Sequence, residues 1–292
     1  MTRTAAFARR SLTAADALSP ALAGSIAYRL FFSIRPRMPL RERDGGTDLA
    51  ARRALIRVRG RDLVSYRWGS GERTIVLAHG WKGRASQFSP LVRELTASGF
   101  RVVSFDAPGH GASPGRRADI RDWLGAIEQL QLQHGRFDAI VGHSVGAVAA
   151  LTAARTFAPT PIVVTISGGA GPAAMVDQFS DALGLSTGAR AELERRFAAR
   201  IGETPASVAD RFDAAAHPLP EATRLLVVHS RDDRGLPDAD SLRLYAAHAG
   251  RARMLRPTDL GHNRILRDDD VLDAILAFVA QPHPTRETSS VG

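Results

Sequence analysis

The chain has 292 residues, no cysteine and a single lysine, Lys82. Lack of cysteine excludes disulfides, thiolate nucleophiles and cysteine-ligated zinc. It leaves the redox compartment open. With one lysine, nearly all positive charge is arginine. Aromatic residues make up 6%, and no aromatic-studded basic module of the kind that binds nucleic acid is visible. No apolar run is long enough to cross a bilayer. The N-terminal region also lacks an apolar core followed by a small-residue cleavage site, so no secretory signal is expected. A cytoplasmic protein is expected.

The net charge of +9 is confined to one segment. Residues 1–61 hold 13 arginines and 4 acidic residues, and the remainder holds 26 basic and 26 acidic residues. The body is neutral, which argues against a nucleic-acid partner. With 44% hydrophobic residues, the length suits one large α/β domain or two small ones.

Within the basic segment, Ser19 can cap a helix with Pro20 at its first position. Leu22, Ile26, Leu30 and Ile34 recur every four residues, beside Ala23, Ala27 and Phe31, and Pro36 ends the run. An arginine-flanked amphipathic helix of this kind suits a peripheral contact with a membrane surface. It equally suits packing on the body or lining a substrate entrance, and packing is the preferred reading because such helices usually face a core.

Two alternating stretches, "ALIRVRG" and "DLVSYRWGSG", predict a half-exposed antiparallel hairpin. Short apolar runs follow: "TIVLAHG", "RVVSFDAPG", "FDAIVGHS", "PIVVTISGG" and "TRLLVVHSRDD". Helical patterns separate most of them, as in "FSPLVRELTASGF" with Gly99 as the stop. Buried strands alternating with helices predict a mostly parallel sheet covered on both faces. From Gly169 to Glu221 no strand is visible, only three helical patterns, and structureless loops of that length are rare. The expected organisation is a helical segment over 1–45, a core over 46–168 and 222–281, and a helical cap inserted at 169–221 between the sixth and seventh core strands. A flexible polar tail is expected at 282–292.

In an open parallel sheet, chemistry gathers at the carboxyl ends of the strands. Those ends carry His79-Gly80-Trp81, Asp106, Ser144, Ser167-Gly168-Gly169, Asp232-Asp233 and, in a later loop, His262. Gly142-His143-Ser144-Val145-Gly146 fits G-x-S-x-G between a strand and a helix, a turn that strains and exposes the central serine. A serine needs an imidazole to take its proton and a carboxylate to orient that imidazole. His262 and Asp233 can supply them, with Asp232 as the alternative acid. The next carboxylate after "PIVVTISGG" is Asp177, inside a helical pattern, and is disfavoured. Backbone amides of Val145, at a helix start, and Trp81 can hold an oxyanion. Ser144 as a plain turn residue and His262 as a surface histidine are the bland alternatives. His79 and His143 read as structural, and His134 as a helix-end histidine. No His/Asp/Glu cluster has metal-ligand spacing.

Together these motifs resemble the α/β-hydrolase superfamily, from about Ile75 to the C-terminal helix. His79-Gly80-Trp81 resembles its oxyanion turn, "FDAPGHGAS" the loop after the next strand, "GHSVG" its nucleophile elbow and "LGHNRIL" its histidine loop. "HSRDDRGLP" resembles its acid pattern, placing the acid at Asp233. The resemblance implies the α/β-hydrolase fold and a serine hydrolase acting on a small-molecule carboxylic ester or thioester, without cofactor or metal. Ser144 would be the nucleophile, His262 the base and Asp233 its orienter, with Asp106 holding its loop. A cap in this fold shapes the acyl pocket, so Met175, Phe179 and Leu183, on one helical face, are the expected pocket residues. Acyl transfer, carbon–carbon bond hydrolysis, cofactor-free peroxidation and a non-catalytic binding role also occur on this fold.

Overall fold

The computed structural model describes residues 3–281. The expected tail at 282–292 therefore lies outside the described residues. Eight strands form one sheet: β1 (Arg52–Val58), β2 (Arg61–Trp68), β3 (Thr74–Ala78), β4 (Arg101–Phe105), β5 (Ala139–His143), β6 (Ile162–Ile166), β7 (Arg224–Val228) and β8 (Ala252–Leu255). Their order is β1-β2-β4-β3-β5-β6-β7-β8. β1 and β2 form the expected hairpin and join β4 antiparallel, while β3 to β8 run parallel. The central strands β3 and β5 are buried throughout. Their continuous apolar runs, without alternation, are what a sheet covered on both faces requires.

Helices α1 (Arg3–Leu18), α2 (Pro20–Phe31) and the short α3 (Gly45–Leu49) precede the sheet. Next come α4 (Ser89–Ala97), α5 (Ile120–His134) and α6 (Val145–Arg155). The run α7 (Ala173–Leu183), α8 (Thr187–Ile201) and α9 (Pro205–Phe212) lies between β6 and β7. Then α10 (Ala239–Ala247), α11 (Gly261–Arg264) and α12 (Asp269–Ala280) complete the chain as described. One core, around Trp123, Ile127 and Val148, joins α5 and α6 to the sheet. A second, around Leu91, Leu95 and Ile275, joins α4 and α12 to its other face.

The N-terminal helix differs from its sequence pattern in two ways. α2 starts as expected, with the Ser19 hydroxyl accepting from the Leu22 amide and Pro20 at the first position. It stops at Phe31, not at Pro36. A proline ring clashes with the carbonyl four residues earlier and disfavours helix in the residue before it, so the helix has to end about a turn before Pro36. The buried face is also not the leucine ridge. Ala23, Gly24 and Ala27 are buried, while Leu22 and Leu30 stay 47% and 41% exposed. A Cβ at Gly24 would sit 2.5 Å from Glu192 Cβ and 2.6 Å from the Ala189 carbonyl. The small residues let α2 and α8 approach backbone to backbone. Leu12, Ala23, Ala27, Val176, Ala189 and Leu193 close a third apolar cluster there.

Candidate active site

β5 ends at His143, and α6 begins at Val145. Ser144 between them has φ 55° and ψ −121°, a backbone region that residues with a side chain rarely adopt. The sharpness of the turn explains Gly142, and the packing of the turn against β3 explains Gly146. A Cβ at Gly142 would lie 2.2 Å from the Gly146 carbonyl oxygen, and one at Gly146 would lie 2.1 Å from that of Ala78. The Ser144 amide donates to the Ile166 carbonyl at 3.0 Å, tying the turn to β6. Among the described residues the amides of Val145 and Trp81 have no protein acceptor.

His262, in α11, and Ser144 line the same cavity. His262 Nδ1 lies 2.8 Å from Asp233 Oδ2. Asp233 is buried, and its Oδ1 accepts from the Gly235 and Leu236 amides at 2.7 and 3.0 Å. His229 Nε2 lies 3.4 Å from Asp233 Oδ2 and 2.8 Å from the Leu236 carbonyl. His229 Nδ1 is 2.6 Å from the Ser241 hydroxyl, which in turn donates to the Gly168 carbonyl. Burial pushes the Asp233 carboxyl up, but the hydrogen bonds from His229 and His262 outweigh it and hold the group well below the usual carboxylate range. Asp232 is exposed and accepts from Ser230 and, at 3.4 Å, from the Gly261 amide. Of the two adjacent aspartates, only Asp233 meets His262.

The flanking histidines hold the frame. His143 Nε2 donates to the His262 carbonyl at 2.9 Å, and its Nδ1 is 3.0 Å from the Gln87 amide nitrogen. Burial, with help from the neighbouring His262, lowers His143 to about 3. His79 Nδ1 donates to the Gly80 carbonyl at 2.8 Å, and its Nε2 accepts from the Ala107 amide at 3.0 Å. Burial lowers it to about 4. Asp106 accepts from Tyr66 and from the Ala85 and Ala112 amides, each at 2.7 Å, and so holds the loop after β4.

The cavity has a volume of about 390 Å³, within the range of small-molecule sites. Val148, Phe197 and Leu236 contribute to its apolar wall, and Trp81 and Val145 line it near Ser144. Met175 and Phe179 line it as expected, but Leu183 does not. Eight residues at 100° each carry Leu183 about 80° past Met175, whereas Ala182, seven residues on, comes back under it. Ala182 lines the cavity, and Leu183 packs against the cluster formed by α1, α2 and α8.

Leu30, Phe31 and Phe32, at the end of α2, line the cavity and were not among the expected pocket residues, although lining a substrate entrance was one reading of that helix. His229 was missed as well, although it opens the "HSRDDRGLP" stretch. The signal for the first was Phe31-Phe32 beside an amphipathic pattern; for the second it was a histidine at a strand end, four residues before the acid.

The chain matches the alpha/beta hydrolase family over residues 75–276. It belongs to that family. Two curated relatives and one solved structure are similar to the chain. A stretch of 96 residues, 32% of this chain and 36% of the relative, is 35% identical to a pimeloyl-[acyl-carrier protein] methyl ester esterase of Sodalis glossinidius. A stretch of 80 residues, 25% of this chain and 29% of the relative, is 32% identical to a monoacylglycerol lipase of Mycolicibacterium smegmatis. The chain thus spans about a third of the length of these curated relatives. The solved structure of the Pyrococcus furiosus esterase Pf2001 superposes with a TM-score of 0.61 at 16% identity, covering 84% of this alpha/beta hydrolase and 97% of that chain. The last likeness is one of fold. The first 74 residues of this alpha/beta hydrolase, including α2 with its share of the cavity wall, lie outside the family match.

Proposed function

We propose that this alpha/beta hydrolase is a serine hydrolase that cleaves a carboxylic ester or thioester through an acyl-enzyme on Ser144. The observation that carries the reading is the Asp233–His262 contact at 2.8 Å beside a cavity that His262 shares with Ser144. Ser144 Oγ attacks the carbonyl carbon while His262 Nε2 takes its proton. Asp233, held ionised by its hydrogen bonds, keeps His262 Nδ1 protonated and stabilises the imidazolium. The oxyanion is received by the Val145 and Trp81 amides. His262 then protonates the leaving group, the acyl-enzyme forms, and water activated by the same imidazole releases the acid. The helices α7 to α9 act as a cap, and the apolar wall with Met175 and Phe179 takes the acyl chain. The ester chemistry named for the two curated relatives supports the substrate class.

Ser144→Ala tests the reading. Turnover of 4-nitrophenyl esters should fall by about 10⁴-fold or more, as for loss of a triad serine. Labelling by a fluorophosphonate should vanish, and the melting temperature should not drop. Full labelling of the variant would remove Ser144 from the nucleophile's role.

A further inference from the structure

Phe32 belongs to the wall of the Ser144 cavity and also to the wall of a second concavity of about 690 Å³. Five arginines line this second space: Arg29, Arg35, Arg116, Arg117 and Arg200. No carboxylate lines it. Arg29, Arg35, Arg116 and Arg117 are exposed, and among the described residues none of them forms an ion pair. Arg200 sits deeper. Its guanidinium lies 4.4 Å over the Phe32 ring, and it donates to the Tyr28 hydroxyl at 3.0 Å and the Ala118 carbonyl at 3.1 Å. Its Nε has no hydrogen-bond partner, and Asp119, the carboxylate nearest to it, stands 3.8 Å away and is shared with Arg59 and Arg121.

Charges of one sign crowded round a concavity repel one another and focus a field into it. Guanidinium groups offer paired donors that match the oxygens of a phosphate. Four uncompensated cations exceed what a single carboxylate offsets, whereas a phosphate brings more charge and more acceptors. One space is mainly apolar, with Lys82, Asp119 and Arg234 also on its wall, and reaches Ser144; the other is cationic, and Phe32 lines both. We propose that the substrate is an acyl ester or thioester bearing a phosphate group, which the arginines hold while the carbonyl meets Ser144. This rests on the serine hydrolase reading for its kinetics. The phosphate could belong to a soluble acyl carrier compound or to a phospholipid headgroup.

The test compares the wild type with the triple variant Arg35→Gln, Arg116→Gln, Arg117→Gln. All three side chains are exposed, so the fold should tolerate their loss. Three substrates are used: neutral 4-nitrophenyl octanoate, octanoyl-coenzyme A as the soluble phosphate carrier, and a lysophosphatidylglycerol presented in vesicles. KM for one phosphate-bearing substrate should rise about tenfold more than KM for the neutral ester, the order expected for charged hydrogen bonds lost. Raising salt should produce the same loss in the wild type. The substrate affected identifies the source. Calorimetric titration of inorganic pyrophosphate into the Ser144→Ala protein supplies a readout free of catalysis, and binding should be lost when the three arginine substitutions are added. An equal change in KM for all substrates, or pyrophosphate binding unaffected by the substitutions, would overturn the proposal while leaving the hydrolase reading intact. If even the neutral ester is not cleaved, it is the hydrolase reading that fails, and the titration still decides the anion site.

Discussion

Asp233 is enclosed by two histidines and two backbone amides, whereas its neighbour Asp232 faces solvent. One position in the turn after β7 separates them, and the kinetics should follow. Asp233→Asn should lower kcat/KM by about 10⁴-fold, because an asparagine can hold the wrong imidazole tautomer and cannot balance the imidazolium. Asp232→Asn should remain near wild type. Steady-state rates with one neutral ester settle the order, and the reverse ranking would place the acid one residue earlier. At this scale most of the site was legible in the sequence. Ser144 and Asp233 sit in turns whose residue types are forced locally, by close backbone approach at Gly142 and by hydrogen bonds from the Gly235 and Leu236 amides at Asp233, and His262 follows a glycine at the start of α11. His229 was hidden because its partners, Ser241, Gly168 and Leu236, come together only in the fold.

On α7, neighbouring positions do different work. Phe179 lines the cavity, and Leu183 anchors the helix to α1, α2 and α8. Phe179→Ala should therefore shift the ratio of kcat/KM between short and long acyl esters. Leu183→Ala should leave that ratio alone and lower stability by roughly 1–2 kcal/mol, less than a fully buried leucine costs. A graded ester series and thermal melts of both variants separate these effects. Helical periodicity put Met175 and Phe179 on one face of α7, and both line the cavity, but it overran at Leu183, since a straight helix drifts off a stripe by its third turn. α2 was harder to read, because its contact uses Ala23, Gly24 and Ala27, residues that look unremarkable without Glu192 and Ala189 opposite. A protein starting near Leu40 loses that contact and exposes Val176, Ala189 and Leu193. It should melt at a lower temperature than the full chain. Salt-sensitive binding to anionic vesicles by the full chain, with no loss of melting temperature on truncation, would instead favour a membrane role for this segment.

At the scale of the whole molecule, three buried histidines make stability depend on pH. Burial lowers His79 to about 4 and His110 and His143 to about 3, against 6.5 when exposed. The unfolded chain therefore binds protons that the folded one refuses. Stability is complete above the unfolded value of 6.5 and falls as the pH drops below it, until the folded values are reached. At pH 5 each histidine should cost about 2 kcal/mol. Melting temperature should decline steadily between pH 7 and pH 4.5. His110→Gln should flatten the decline, and equal slopes for variant and wild type would show that His110 does not carry its share.

The position of Leu30, Phe31 and Phe32 has one more consequence. They wall the cavity, yet they precede the stretch that matches the family. Ser144 with the Asp233–His262 pair and part of the cavity wall beside them are thus written in separate tracts of the chain. Two proteins with interchangeable cores need not share a substrate if their leading helices differ. Conversely, grafting a foreign leading segment onto this core should re-tune selectivity without touching the chemistry.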